Sequence, residues 1–263
     1  MVSPGSEPVA AGTPLAGRVV LVLGGSSGMG RATALELARQ GAEVIVAARR
    51  VTLCEDAVAT IRAGGGRARA LEVDALSDDS LDAAFATIAR DHGRLDGAFN
   101  NVGRTLGSTP LHETPLARLR DTLDINLVSA FRCMAREIPL MRAAAGGAIV
   151  NNSSIGGTRG FANLADYCAA KWGLIGMTKA AALENAAHGI RVNVIAPGLV
   201  ATERFEAMRA QHAAILEKRL GEIPLQRPAA MDEIARAVCW LLGPASSYLT
   251  GAVLPIDGGE CAR

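Results

Sequence analysis

Short apolar runs and longer amphipathic segments alternate along most of the chain. Arg18 to Leu23 is an apolar run that ends in a cluster of glycines. Arg31 to Gln40 then spaces its apolar residues three and four apart and stops at Gly41, the residue type that most readily closes a helix. Glu43 to Ala48 is the next run, and Val51 to Ala63 the next helical pattern, closed by Gly64, Gly65 and Gly66. Ala68 to Val73, Leu95 to Asn100, Ala148 to Asn152, Arg191 to Ile195 and Ala252 to Ile256 read as further buried strands. Between them, Leu81 to His92, Leu119 to Met141, Leu164 to His188 and Met231 to Leu242 carry helical periodicity. This alternation predicts an α/β fold, doubly wound, with a central parallel sheet of about seven strands and helices on both faces.

A length of 263 residues suits one such core, and no linker divides the chain after its start. Residues 16–263 are therefore expected to form a single domain. Residues 1–15, rich in Pro, Gly, Ser and Ala and without the charged start and apolar run of a signal peptide, are expected to be a mobile tail. Charge narrows the partners. With 27 Lys and Arg against 26 Asp and Glu, and only 3% aromatic residues, there is neither a basic stripe nor a platform for stacking bases, so nucleic acid is not expected. No membrane association is expected either. The five cysteines are scattered, odd in number and without a Cys-x-x-Cys pair, which predicts a reduced, cytoplasmic chain. The four histidines share no ligand spacing, so no metal is expected and exposed helix ends and loops are their predicted places.

In a sheet of this kind ligands bind beyond the carboxyl ends of the strands, where the first strand turns into the first helix. That turn reads Gly24, Gly25, Ser26, Ser27, Gly28, Met29, Gly30. Glycines at 24, 28 and 30 allow a tight turn, close approach of a pyrophosphate and packing of helix on sheet, and the free N–H groups of the helix start attract the anion. The second strand ends in Ala48 where a site for NAD would usually carry a carboxylate, and Arg49, a planar cation suited to phosphate, follows it. NADP(H) is thus favoured over NAD(H). Further on, Tyr167 and Lys171 stand four apart at the start of a predicted helix, one turn from each other on one face. A fixed ammonium beside a phenol favours the phenolate, which makes the pair a candidate acid/base device.

Taken in order, these motifs resemble the short-chain dehydrogenase/reductase family. The glycine turn, Asn100-Asn101-Val102-Gly103 after the fourth strand, Ser153-Ser154 after the fifth, Tyr167 with Lys171, and Pro197-Gly198 after the sixth carry the likeness, from about Gly17 to Gly259. The resemblance implies a Rossmann-type domain and a catalytic tetrad of Asn126, Ser154, Tyr167 and Lys171. Tyr167 would be the general acid/base, and Lys171 would bind the nicotinamide ribose and lower the tyrosine pKa. Ser154, chosen over Ser153 on the family's spacing, would hold the substrate oxygen, with Ser153 supporting the turn. Asn126 would kink a long helix and hold a water relaying protons to the lysine. Cofactor contacts carry over to Gly24, Ser26, Ser27, Gly28, Met29 and Gly30, to Arg49, and to Asp74 and Ala75 at the adenine. They continue at Asn101, Val102 and Gly103 beside the adenine ribose, and at Pro197, Gly198, Val200 and Thr202 near the nicotinamide. Leu23 and Val102 depart from the family's usual Thr and Ala.

The implied function is NADP(H)-dependent interconversion of a ketone or aldehyde and a secondary alcohol. The alternatives are an NAD-dependent alcohol, sugar or diol dehydrogenase of the same family, and a non-catalytic dinucleotide sensor or scaffold. The pocket is expected from Arg104 to Leu111, Ile155 to Leu164 and a charged helical lid from Glu203 to Leu225. Arg104 and Arg159 are candidate anchors for an acidic substrate, and Phe161 and Leu164 candidate apolar lining. The family likeness also implies a homo-oligomer, a tetramer or dimer, built on the helices that contain Asn126 and Tyr167.

Overall fold

The structure, a computed structural model, describes residues 13–211 and 213–262, and the side chains of Met208 and Ile215 are outside the description. The expected tail therefore lies almost wholly outside the described residues. Its last residue does not behave as tail: Leu15 is fully buried, and its N–H donates to Gln40 O at 3.0 Å.

Seven strands form one parallel sheet in the order β3-β2-β1-β4-β5-β6-β7. These are β1 (Val19–Leu23), β2 (Glu43–Ala48), β3 (Arg67–Glu72), β4 (Gly97–Asn100), β5 (Gly147–Asn152), β6 (Ile190–Pro197) and β7 (Val253–Ile256). Helices α1 (Gly28–Arg39), α2 (Val51–Ala63) and α3 (Asp78–His92) follow the first three strands. Helices α4 (Leu116–Leu123) and α5 (Ser129–Ala143) follow β4, and α6 (Ala165–Asn185) follows β5. Helices α7 (Glu203–Gln211), α8 (Ala213–Glu222) and α9 (Met231–Leu242) lie between β6 and β7.

Both faces of the sheet are covered, so strands such as β1 are buried at every residue. Successive side chains still point to opposite faces. Val20 and Val22 join Leu37, Ile61, Ile234 and Val238 in one core, whereas Val19, Leu21 and Leu23 join Ile88, Met141 and Ile149 in the other. The register then fixes the site. Leu23 pairs with Ala47 on one side and Asn100 on the other, so the carboxyl ends of β2, β1 and β4 finish level with one another.

The helix expected from Leu119 to Met141 is interrupted. Between α4 and α5 the residues Asp124–Val128 form a single π-helical turn, and Asn126, fully buried, lies within it. The histidine expectation needs correction at His92. It does end α3, but its side chain is only 11% exposed and its Nδ1 lies 3.7 Å from Glu43. His212 lies outside the described residues. All five cysteines are free, four of them buried.

One buried acid has no counterpart in the sequence reading. Glu137 of α5 is fully buried and accepts from Asn100 Nδ2 at 3.1 Å, and the same amide donates to Asn151 Oδ1 at 3.0 Å. Burial pushes its carboxyl up to about 8, against the smaller downward pull of the Asn100 hydrogen bond. A carboxyl raised on folding stabilises fully below its unfolded pKa and loses that stability as pH rises through the folded value. Between about pH 4.5 and 8 wild type should lose up to about 1.4 kcal/mol per pH unit relative to Glu137→Gln. Urea denaturation of both proteins at pH 5, 6, 7 and 8 measures this, and parallel curves would refute it.

Candidate active site

The strand ends deliver six loops to one cleft of about 680 Å³. It opens above the β1–β4 boundary, where the strand order reverses. Gly24, Ser26, Ser27, Gly28 and Met29 line it from the first loop, Arg49 and Arg50 from the second, and Asp74 and Ala75 from the third. Asn101, Val102, Gly103 and Arg104 line it after β4, and Ser153, Ser154, Tyr167 and Lys171 after β5. Pro197, Gly198, Val200, Thr202, Glu203 and Arg204 complete the wall after β6. Gly30 and Asn126 stand behind this lining and shape it.

Hydrogen bonds tie the loops together. Asn101 Nδ2 donates to Gly24 O at 3.2 Å, and Asn152 Nδ2 donates to Asn101 Oδ1 at 2.7 Å. Lys171 Nζ donates to Asn152 O at 2.9 Å. The lysine head is therefore fixed to the strand end rather than free to sweep the cleft. Ser153 Oγ donates to Lys171 O at 3.1 Å, which ties the end of β5 to α6. Ser154 Oγ accepts from Gly156 N at 3.1 Å, which holds the hydroxyl at the turn after β5.

Asn126 is pinned more firmly than expected. Its Nδ2 donates to Thr122 O and Arg104 O, both at 2.9 Å, and its Oδ1 accepts from Arg104 N at 2.9 Å. Both amide hydrogens are thus spent on backbone, which fixes the loop after β4 on the π turn. Gly103 marks how close this packing is: a Cβ there would lie 2.7 Å from Asn126 Oδ1 and 3.1 Å from Lys171 Nζ.

The expected lowering of the Tyr167 pKa by Lys171 is not the direction found. Burial raises the phenol above its usual value, while the Ser154 hydroxyl and the charge of Arg204 pull it back. Lys171 lies with Nζ 5.7 Å from the Tyr167 ring centre, and burial pushes its own pKa down to about 7. The burial that raises the phenol thus also weakens the charge expected to lower it.

Two other expectations change. Arg159 does not stand free for an acidic substrate, because it is paired with the buried carboxylate of Glu260 and stacks 4.6 Å from the Phe161 ring centre. Phe161 carries Arg219 of α8 at 5.6 Å as well, and neither Phe161 nor Leu164 is part of the cleft lining. Arg50 is the residue the sequence reading undervalued. Its Nη2 donates to Ser27 Oγ at 3.1 Å and Ser26 Oγ at 3.3 Å, across the mouth of the glycine turn. Two adjacent arginines after β2 were the available signal, and only contact geometry separates their directions.

A dinucleotide fits this cleft on the structure's own terms. Asp74 Oδ1 accepts from Leu76 N at 3.0 Å, which orients the carboxylate at the expected adenine end. The start of α1 presents N–H groups without a side-chain cap. Among the described residues no group of three His, Cys, Asp or Glu is placed to hold a metal.

A family model described as enoyl-(acyl carrier protein) reductase matches residues 24–260. The chain is 40% identical over 247 residues to the A-factor type gamma-butyrolactone 1'-reductase (1S-forming) of Streptomyces virginiae, covering 93% of this chain and 96% of that one. The chain belongs to the short-chain dehydrogenase/reductase family. As a member of it, the protein is an oxidoreductase of CH–OH and carbonyl groups with a nicotinamide dinucleotide as partner. Solved structures of the family agree in shape. That of a levodione reductase superposes with a TM-score of 0.90 at 33% identity, covering 95% of this chain and 99% of that one. A putative 2-deoxy-d-gluconate 3-dehydrogenase from Agrobacterium tumefaciens, solved with bound NADP, gives 0.87 at 35% identity, covering 95% and 98%. Among the described residues of this family member, no helix is long and apolar enough to cross a membrane.

Proposed function

We propose that the protein interconverts a ketone or aldehyde and a secondary alcohol with NADP(H), Tyr167 acting as general acid/base. The observation that carries this reading is the convergence of Ser154, Tyr167 and Lys171 at one end of the cleft and Arg49 with Arg50 at the other. The bound dinucleotide supplies the hydride; the residues of this chain bind, orient and move a proton. Tyr167 Oη gives its proton to the carbonyl oxygen in reduction and takes one from the hydroxyl in oxidation. Ser154 Oγ holds that oxygen and favours the charge that develops on it. Lys171 orients the cofactor ribose, and Asn126 acts behind it by fixing the Arg104 backbone.

Preference for NADP(H) rests on charge at the end of β2. Ala48 offers no carboxylate to repel a 2'-phosphate, and both Arg49 and Arg50 are exposed at the mouth. Fluorescence titration should show NADPH binding at least about tenfold tighter than NADH, and Arg49→Ala together with Arg50→Ala should remove most of that difference. Equal or tighter binding of NADH by wild type would overturn the preference and favour the NAD-dependent alternative. Levodione is the first ketone to test, since a levodione reductase shares the fold at 33% identity.

Assembly belongs to the same proposal. Phe131 on α5 and Trp172 and Leu183 on α6 expose large apolar side chains on the two helices expected to pair between copies. Light scattering should give a dimer or tetramer mass; a monomer would remove this part of the reading.

A further inference from the structure

The segment that faces the cleft after β4 is held in an unusual way. From Gly103 to Asp121 no residue is fully buried, so apolar packing holds this stretch only loosely. Asn126 holds its start at Arg104, and beyond that a single guanidinium gathers the side chains. Arg118 of α4 donates through Nη2 to Thr109 Oγ1 at 2.7 Å and to Thr114 Oγ1 at 2.8 Å. Through Nε it donates to Asp166 Oδ2 at 3.1 Å. The backbone lies against the same group, since a Cβ at Gly107 would come within 2.8 Å of Nη1.

Asp166 stands immediately before Tyr167 in the first turn of α6, and its side chain is only 2% exposed. Its Oδ2 also accepts from Thr122 Oγ1 at 3.0 Å, one turn before Asn126. Thr109 N donates to Asn163 O at 3.0 Å, and Asn163 adopts φ +66°, a conformation that residues with side chains seldom take. Thus the loop after β4, the segment before α6 and the helix of Tyr167 meet at one ion pair.

A buried ion pair is a poor source of net stability, because the desolvation of both charges offsets their attraction. It is a good source of a unique arrangement. The planar fork reaches three acceptors in fixed directions, which the point charge of a lysine does not reproduce. We propose that Arg118 and Asp166 are a positioning pair, which sets the loop 104–115 as the substrate wall against the helix that carries Tyr167. The inference rests on the oxidoreductase reading above. Neither residue lines the cleft, so the pair acts through the loop and the helix rather than on substrate.

The test uses the full-length protein with NADPH, levodione as the probe ketone, and hydrogen exchange of the backbone amides. Arg118→Met should raise KM for levodione by about tenfold or more while the Kd for NADPH stays within about twofold. Exchange of amides 105–115 should quicken by about tenfold, with β1 unchanged. Millimolar guanidinium should restore part of the lost KM in Arg118→Met but not change wild type, and Arg118→Lys should fall between the two. Because Arg118→Met leaves a buried carboxylate unpaired, the variant combining it with Asp166→Asn is measured in parallel, with the same expectation. Loss of folded protein alone would lower kcat in proportion and leave KM unchanged. That pattern, or unchanged exchange at 105–115 in the double variant, overturns the proposal. A wild type that binds NADPH but reduces no ketone counts against the functional reading, and the exchange measurement then decides this inference by itself.

Discussion

Tyr167→Phe is expected to lower turnover of a ketone by about a thousandfold or more while leaving NADPH affinity within about twofold. The substitution removes one oxygen from a partly exposed ring that lines the cleft beside Ser154 and Lys171, and leaves the ring's packing in place. The neighbouring hydroxyl of Ser154 cannot replace it. Ser154 Oγ accepts from Gly156 N, and its own pKa is far too high for it to exchange a proton near neutrality. The direction of the pH dependence follows from the raised phenol pKa. Reduction needs the protonated phenol and should hold its rate across neutral pH, whereas oxidation needs the phenolate and should climb as pH rises. Steady-state rates in both directions from pH 6 to 10, with NADPH binding measured alongside, check both parts. Residual turnover above about one tenth of wild type would remove Tyr167 from the acid/base role.

How much of this was legible in the sequence depends on the range of the interaction involved. Strand and helix order was legible because parallel strands are continuous apolar runs and helices carry a 3.6-residue period; β1, α1 and β2 fall within a few residues of their expected places. The glycine turn, the Tyr167–Lys171 pair and Ser154 are local patterns or resemble a family's spacing, and the fold brings them to one cleft. Electrostatic balance was not legible. A neighbouring ammonium predicts a lowered phenol pKa, but burial, a property of the whole fold, acts on both groups and moves the tyrosine up and the lysine down. Nor were ion pairs between distant segments. Arg159 and Glu260 lie 101 residues apart, and nothing local marks Arg159 as already neutralised. Glu137 and Arg118 escaped notice for the same reason: each has its partner, Asn100 or Asp166, on another element.

Gly30→Ala should abolish tight cofactor binding, with the Kd for NADPH rising by about a hundredfold or more. Backbone torsion is not the obstacle here, since Gly30 does not adopt a positive φ. The obstacle is space. A Cβ at residue 30 would lie 2.1 Å from Gly24 O and 2.8 Å from Asn101 Nδ2, and both neighbours are held by their mutual hydrogen bond at 3.2 Å. The Gly24 carbonyl is backbone and cannot turn aside as a flexible side chain can, and the Asn101 amide is bonded at both ends, so the start of α1 must lift from the glycine turn. That movement separates the α1 N–H groups from Ser26 and Ser27 and breaks the cradle that would receive the pyrophosphate. The chemistry end is spared, because Tyr167, Ser154 and Lys171 are set by β5 and α6 and touch α1 nowhere in this hydrogen-bond network. The variant should therefore show a raised KM for NADPH with a smaller loss of kcat at saturation, and a lowered Tm from the overpacked helix start. NADPH binding within about threefold of wild type would mean that the first turn of α1 does not hold the cofactor, and the placement of the whole dinucleotide along the cleft would have to be redrawn.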